Sequence, residues 1–172
     1  MTKTFTLNIA VLGVGAMGSL FGSRLNDLAH VTLIGNWVEQ IETVQRDGLA
    51  ITYPDGHQTQ HALRFTNNLA EVPPADLALI LVKGYQTARA ARQAAQVLKP
   101  NGLAITLQNG LGNLEILAEA VGPRRARLKR GLVVRRFWTH GCPSIGRGSA
   151  SCTTCRSDDA AARARNRRCA DI

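Results

Sequence analysis

The chain has 172 residues, 45% of them apolar, and a formal charge of +9. That length and apolar share suffice for one domain with a real core, and no apolar run approaches the roughly 20 residues that a membrane span needs. The apolar segment near the N-terminus feeds a glycine turn and does not read as a signal peptide, so a soluble, cytoplasmic protein with no membrane partner is expected.

The first predicted element is a mostly apolar strand from Leu7 to Leu12, which runs straight into Gly13-Val14-Gly15-Ala16-Met17-Gly18. Each glycine of this turn has its own task. Gly13 permits the tight turn out of the strand, Gly15 leaves no side chain where a pyrophosphate would lie, and Gly18 lets the following helix pack closely on the sheet. The free N–H groups and positive dipole end of that helix would face the diphosphate. Glycine spacing alone is a weak signal; the strand before it and the helix after it supply the required context. That helix is read from Met17, Leu20, Phe21, Leu25 and Leu28 at helical spacing, and a second strand, Val31–Ile34, closes the βαβ unit. The plain alternative is a glycine-rich turn in some other α/β protein.

The end of the second strand is where dinucleotide folds choose their cofactor. An acid there holds the ribose 2′-hydroxyl of NAD, whereas a nearby Arg accepts the 2′-phosphate of NADP. Gly35-Asn36-Trp37 carries neither, so NADP (NADPH) is favoured by the absence of the acid and not by a visible clamp. Trp37 reads equally well as a cover for the adenine or as an exposed aromatic at a helix start.

A short helix, Val38–Arg46, is ended by Asp47-Gly48. Leu49–Tyr53 and Thr59–Phe65 flank Pro54-Asp55-Gly56 as a hairpin. After the rigid Pro73-Pro74 loop, Leu77–Val82 is a continuous apolar run suited to a strand buried on both faces of a parallel sheet. Lys83 follows it directly, where a ligand crevice would open; it reads either as a ligand for phosphate, ribose or carboxylate, or as a solvated strand-end lysine. Thr87–Leu98 is an Ala-rich helix and Leu103–Leu107 another buried strand. Next comes Gln108-Asn109-Gly110-Leu111-Gly112-Asn113, where the Asn109 amide can aim into the crevice. The bland reading is an ordinary turn with Asn113 capping the helix Leu114–Val121. The alternation predicts a three-layer α/β domain over residues 1–122, a Rossmann-type, doubly wound, mainly parallel sheet with its ligand loops at the strand C-termini.

The glycine turn, Val82-Lys83-Gly84-Tyr85-Gln86-Thr87 and Gln108-Asn109-Gly110-Leu111-Gly112 together resemble the ketopantoate reductase (2-dehydropantoate 2-reductase) family over residues 8–123. The resemblance implies an NADPH-binding domain formed by Gly13, Val14, Gly15, Ala16, Met17, Gly18, Asn36, Lys83 and Asn109. It further implies that Lys83 and Asn109 also contact a small keto acid substrate. Family members reduce the ketone of 2-dehydropantoate on the route to pantothenate and coenzyme A. Two departures stand out. Many relatives place an Arg where this chain has Asn36, and the family's helical second domain, which supplies a catalytic lysine, has no counterpart after Gly122. No residue is therefore assigned as catalytic, and the chain is expected to be the cofactor-binding half. The alternatives are a non-catalytic dinucleotide-binding module whose basic tail binds nucleic acid or zinc, and a different two-domain dehydrogenase with the same cofactor fold, over which the Lys83 and Asn109 loops favour the resemblance.

The charge is divided unevenly. Residues 1–122 hold 8 Lys+Arg against 9 Asp+Glu, whereas residues 123–172 hold 13 against 3, together with all four cysteines. The apolar periodicity also stops near residue 122, and an irregular tail is expected. Cys152-Thr153-Thr154-Cys155, with His140, Cys142 and Cys169, has half the spacing of a zinc knuckle but no second pair, so no metal is expected. A nucleic-acid arm has the Arg density but only Phe137 and Trp138 to stack bases. The favoured reading is a frame shift near Pro123. Read with each codon's third base leading, the Phe137/Trp138 and Trp138/Thr139 junctions must encode Leu and Asp. The neighbouring junctions permit Ser-Gly-Ala-Thr-Leu-Leu-Asp-Pro, similar to the family's strand and turn beyond the Asn-Gly loop.

Overall fold

The computed structural model describes residues 7–53, 55–128, 144–147 and 150–151. Its frame is a six-stranded sheet in the order β5-β2-β1-β6-β7-β8, made of Asn8–Leu12 (β1), His30–Ile34 (β2), Arg64–Thr66 (β5), Ala75–Ile80 (β6), Leu98–Thr106 (β7) and Ala126–Leu128 (β8). Every pairing in it is parallel. Helices Ala16–Leu25 (α1), Val38–Asp47 (α2), Thr87–Val97 (α3) and Asn113–Val121 (α4) connect the strands. A second sheet, β10-β9-β3-β4, joins Leu49–Thr52 (β3) and Gln58–His61 (β4) to the backbone of Ser144–Arg147 (β9) and Ala150–Ser151 (β10).

The strand order reverses direction between β1 and β6: the chain leaves β1 toward β2 and leaves β6 toward β7. In a doubly wound sheet that switch point opens a crevice beyond the strand C-termini. Side-chain alternation fills both faces of the sheet. Ala10 and Leu12 of β1 join Ala90, Ala91 and Ala94 of α3 and Leu117 of α4 on one face. Ile9 and Val11 join Leu20, Ile41 and Val44, together with Leu49 and Ile51 of the hairpin, on the other. Alanines along α3 bring its axis close to the strands, where bulkier residues would hold it away.

Several elements differ from their sequence readings. Thr59–Phe65 is not one strand: β4 pairs antiparallel with β3 and β5 pairs parallel with β2, so the chain changes sheets at Ala62 and Leu63. Burial alternates from residue to residue through the break, whereas the sequence Thr-Gln-His-Ala-Leu-Arg-Phe has no polar–apolar alternation that could show which neighbour each half selects. Helix α1 stops at Leu25, leaving Leu28 72% exposed beyond it. Leu103, read as part of a buried strand, is 41% exposed. The hairpin turn is present, with the Tyr53 amide donating to the His57 carbonyl and the Asp55 carboxylate accepting from the His57 amide.

Beyond Gly122, where the apolar pattern stops, the chain adds β8 to the sheet edge, with Ala126 opposite Ala104. Arg125 secures that turn by donating to the carbonyls of Val121 (2.6 Å) and Lys99 (3.0 Å). The residues behind the zinc, nucleic-acid and reading-frame readings, from Phe137 to Cys169, lie outside the described residues apart from the strand positions of β9 and β10.

At the opposite end of the sheet from the crevice, Asp76 ties three strands together. Its carboxylate accepts the Asn8 amide N–H at 2.9 Å and the Lys99 ammonium at 2.8 Å. The Asn8 hydrogen bond first, and then Lys99, hold the Asp76 carboxyl below its usual range. A carboxyl whose folded value is depressed stabilises the fold above its unfolded value, and that contribution disappears as pH falls through the folded value. Asp76→Asn is therefore expected to lower the urea midpoint at neutral pH, with the deficit shrinking at an acidic pH below the carboxyl's folded value. A deficit equally large at both pH values would show that the carboxylate charge contributes nothing.

Candidate dinucleotide site

The glycine turn is built at the switch point. Gly13 leaves β1 with φ +110°, a conformation other residues rarely adopt, and a Cβ there would come within 2.8 Å of the Leu81 backbone. Its amide donates to the Ile34 carbonyl at 3.0 Å, and the Leu81 amide donates to the Leu12 carbonyl at 2.8 Å, so the turn is held on both sides. The Val14 carbonyl accepts from the Ser19 hydroxyl (3.3 Å) and from Gln40 Nε2 of α2 (3.2 Å), which fixes the loop between β1 and α1.

Helix α1 then starts with Gly15 as its N-cap, no side-chain cap and no acidic residue in its first turn. Its first N–H groups and its dipole are left for an anion. A Cβ on Gly15 would meet nothing within 4 Å, because this position faces the crevice. At Gly18 the same atom would overlap the Gly13 carbonyl oxygen. The two glycines thus have different reasons to be glycine: one keeps the crevice open, the other lets helix and turn touch.

A cleft of about 730 Å³ occupies the switch point, within the usual range for small-molecule and cofactor sites. Gly13, Val14, Gly15, Ala16, Met17, Asn36, Lys83 and Asn109 all line it. Gly18, the remaining residue singled out in the sequence, is buried beneath the turn. Trp37 is the N-cap of α2, 40% exposed, and borders the same cleft, so its two readings are compatible.

Lys83 precedes a single 3₁₀ turn, Gly84–Gln86, and its carbonyl accepts the Gln86 amide at 2.8 Å. Among the described residues its ammonium has no carboxylate or hydrogen-bond partner. Asn109 is exposed at the cleft edge, and its carbonyl accepts from Asn113 Nδ2 at 3.0 Å. Asn113 is the first residue of α4 and not its cap; Gly112 holds the cap position with φ +85°. The buried Asn113 amide instead bridges loops.

That bridge belongs to a polar network the sequence did not reveal. Gln108 Nε2 donates to the Val82 carbonyl (2.8 Å) and to the Thr87 hydroxyl (2.9 Å), and Gln108 Oε1 accepts from Thr106 (2.8 Å). The Thr87 hydroxyl, fully buried, has its single proton between the Gly84 carbonyl at 2.8 Å and Asn113 Oδ1 at 3.0 Å. Gln108 and Thr87 thereby lock the Lys83 loop to the Asn109 loop. A partly buried network of this kind, joined at several points, rigidifies its surroundings.

Arg89 was also missed. It projects from α3, lines the cleft, and its Nη2 donates to Asn36 Oδ1 at 2.8 Å. The absence of an Arg near the end of β2 is a statement about sequence, and the fold reverses it. The available signal was the spacing of Gln86, Arg89 and Gln93, which puts three polar residues on one stripe of an Ala-rich helix. Among the described residues, the cleft lining therefore carries two cations, Lys83 and Arg89, and no carboxylate.

A doubly wound parallel sheet with an open glycine turn, an uncapped helix N-terminus and a cationic cleft at its switch point defines an α/β domain of the Rossmann type. The family profile described as "Ketopantoate reductase PanE/ApbA" matches residues 9–154, reaching past residue 123. This chain belongs to the ketopantoate reductase family, a family of dinucleotide-binding oxidoreductases. It is 38% identical over 116 residues to the 2-dehydropantoate 2-reductase of Halobacterium salinarum, an alignment that takes in 67% of this chain and 38% of that protein. The crystal structure of 2-dehydropantoate 2-reductase from Geobacter metallireducens superposes with a TM-score of 0.60 at 26% identity, over 73% of this chain and 47% of that one. A ternary structure of D-mandelate dehydrogenase with NADH and anilino(oxo)acetate gives 0.59 at 25% identity, over 73% and 46%. The chain spans about two fifths of the length of the curated relatives it matches. No helix among the described residues is long and apolar enough to cross a membrane, and no cluster of potential metal ligands occurs among them.

Proposed function

We propose that this chain is the cofactor-binding part of an NADP(H)-dependent reductase of a small 2-keto acid, with 2-dehydropantoate as the substrate named by its relatives. The observation that carries this reading is the convergence of the glycine turn, the Lys83 loop and the Asn109 loop on one acid-free cleft at the sheet's switch point. When bound, the reduced nicotinamide supplies the hydride. The chain's own groups bind and orient the reactants. The Gly15 position and the first N–H groups of α1 receive the diphosphate. Lys83 offers three rotatable donors and a point charge to a ribose, a phosphate or the substrate carboxylate. Asn109 offers both a donor and an acceptor, which suits a hydroxyl or a keto acid, and the Gln108–Thr87 network keeps the two loops in register. The general acid for the developing alkoxide is not assigned to any residue of this chain. A cytoplasmic setting accompanies the small-molecule chemistry of this reading.

Calorimetric titration tests it. Saturable binding of NADPH at one site per chain is expected, weakened at least about tenfold (~1.4 kcal/mol) by Lys83→Ala. A protein with native circular dichroism that takes up neither NADPH nor NADH would overturn the proposal.

A further inference from the structure

We propose that Arg89, on the helix after the fourth parallel strand of the chain, is the residue that reads the 2′-phosphate of the cofactor, held in place by Asn36. This role presupposes that the cleft binds a dinucleotide, as proposed above. The end of β2 is where a ribose 2′ substituent arrives in this fold. At that end the chain supplies an amide, which cannot by itself select a dianionic phosphate. The guanidinium that can do so comes from 53 positions away, with Arg89 Nη2 donating to Asn36 Oδ1 at 2.8 Å.

Three features of this pair fit a phosphate better than a bare hydroxyl. First, a guanidinium has five N–H donors in a planar fork. Asn36 engages one, which leaves most of the fork for bidentate phosphate contact. Second, no carboxylate pairs with Arg89 among the described residues, and none lines the cleft, so its charge is not neutralised locally. A site built for the 2′-hydroxyl of NAD would have an acid here. Third, Gln93 lies one turn further along α3 and also borders the cleft, adding a neutral donor beside the charge. The contact with Asn36 restricts the arginine's rotamers before ligand arrives, and preorganisation of this kind lowers the entropic cost of binding.

The fold does not decide the cofactor, since D-mandelate dehydrogenase, with nearly the same TM-score as the reductases, is seen with NADH. The side chains at this edge must decide it. Titration of the 172-residue chain with NADPH, NADH, 2′-phospho-AMP and AMP separates the outcomes. The parent is expected to prefer each 2′-phosphorylated ligand by about 10- to 100-fold, the scale of a charge-assisted pair. Arg89→Ala should erase that preference while changing affinity for NADH by less than about threefold. Because Arg89 is exposed, the variant should keep the parent's circular dichroism. Asn36→Asp should pair with Arg89, repel the phosphate and turn the preference toward NADH. Equal loss of NADPH and NADH on Arg89→Ala, or a parent that binds both without preference, would overturn the assignment while leaving the dinucleotide site intact. Failure of the folded parent to bind any of the four would remove the dinucleotide reading itself, and this role with it.

Discussion

Gly15→Val is expected to abolish dinucleotide binding, by at least about 100-fold (~2.8 kcal/mol), in a protein that still folds. The two halves of this expectation come from different observations. Folding should survive because a Cβ at this position meets no protein atom within 4 Å. The backbone angles, φ −71° and ψ −173°, also lie in the extended region that a β-branched residue accepts. Binding should fail because the open space is the approach to the uncapped N–H groups of α1, where a branched side chain would fill the diphosphate's place. The measurement is parallel: far-ultraviolet circular dichroism and a urea midpoint for folding, calorimetry with NADPH for binding. Retained affinity would move the diphosphate elsewhere and undo the site. Loss of both binding and fold would show that Gly15 is structural.

Three residues on, Gly18→Val should have the reverse character and destroy the fold. Here the added Cβ overlaps the Gly13 carbonyl oxygen, and Val11 lies just beyond it. The obstacle is backbone and not the end of a flexible side chain, so no rotamer change relieves it. Either α1 withdraws from β1 or the Gly13 turn opens. The first breaks the packing of the buried Ser19 and Leu20, the second the Gly13–Ile34 hydrogen bond. Overpacking in a close-packed interior costs about 1–3 kcal/mol and more when backbone must move. A domain with only about 5–15 kcal/mol to lose is then left near its threshold. Thermal unfolding followed by circular dichroism should show a large fall in Tm or no cooperative transition. A Tm within a degree or two of the parent would contradict the close contact between helix and turn.

The contrast between these glycines also shows where sequence reasoning works. Their spacing predicts both roles, because each is a local requirement of a strand–turn–helix unit and the chain carries it within a dozen residues. The same holds for the buried run of β6, for the Ala-rich face of α3, and for the ligand loops that begin at Lys83 and Gln108. Local periodicity and turn chemistry make all of these legible, and together they identify the fold class and most of the cleft.

What escaped the sequence is of another kind. Thr59–Phe65 has no turn residue to interrupt it, yet its first half belongs to the hairpin and its second to the parallel sheet. The choice depends on which strand edges are free, not on the segment's own residues. Asn113 looks like a helix cap and is instead part of a bridge from α4 to Thr87, 26 positions away. Arg89 looks like a solvated helix charge and instead meets Asn36 at the cofactor edge. Side-chain pairs so far apart in the chain have no periodicity to announce them. Packing α3 across the β1–β6 switch point is what brings them together, and so the tertiary structure alone decides which cation faces the end of β2.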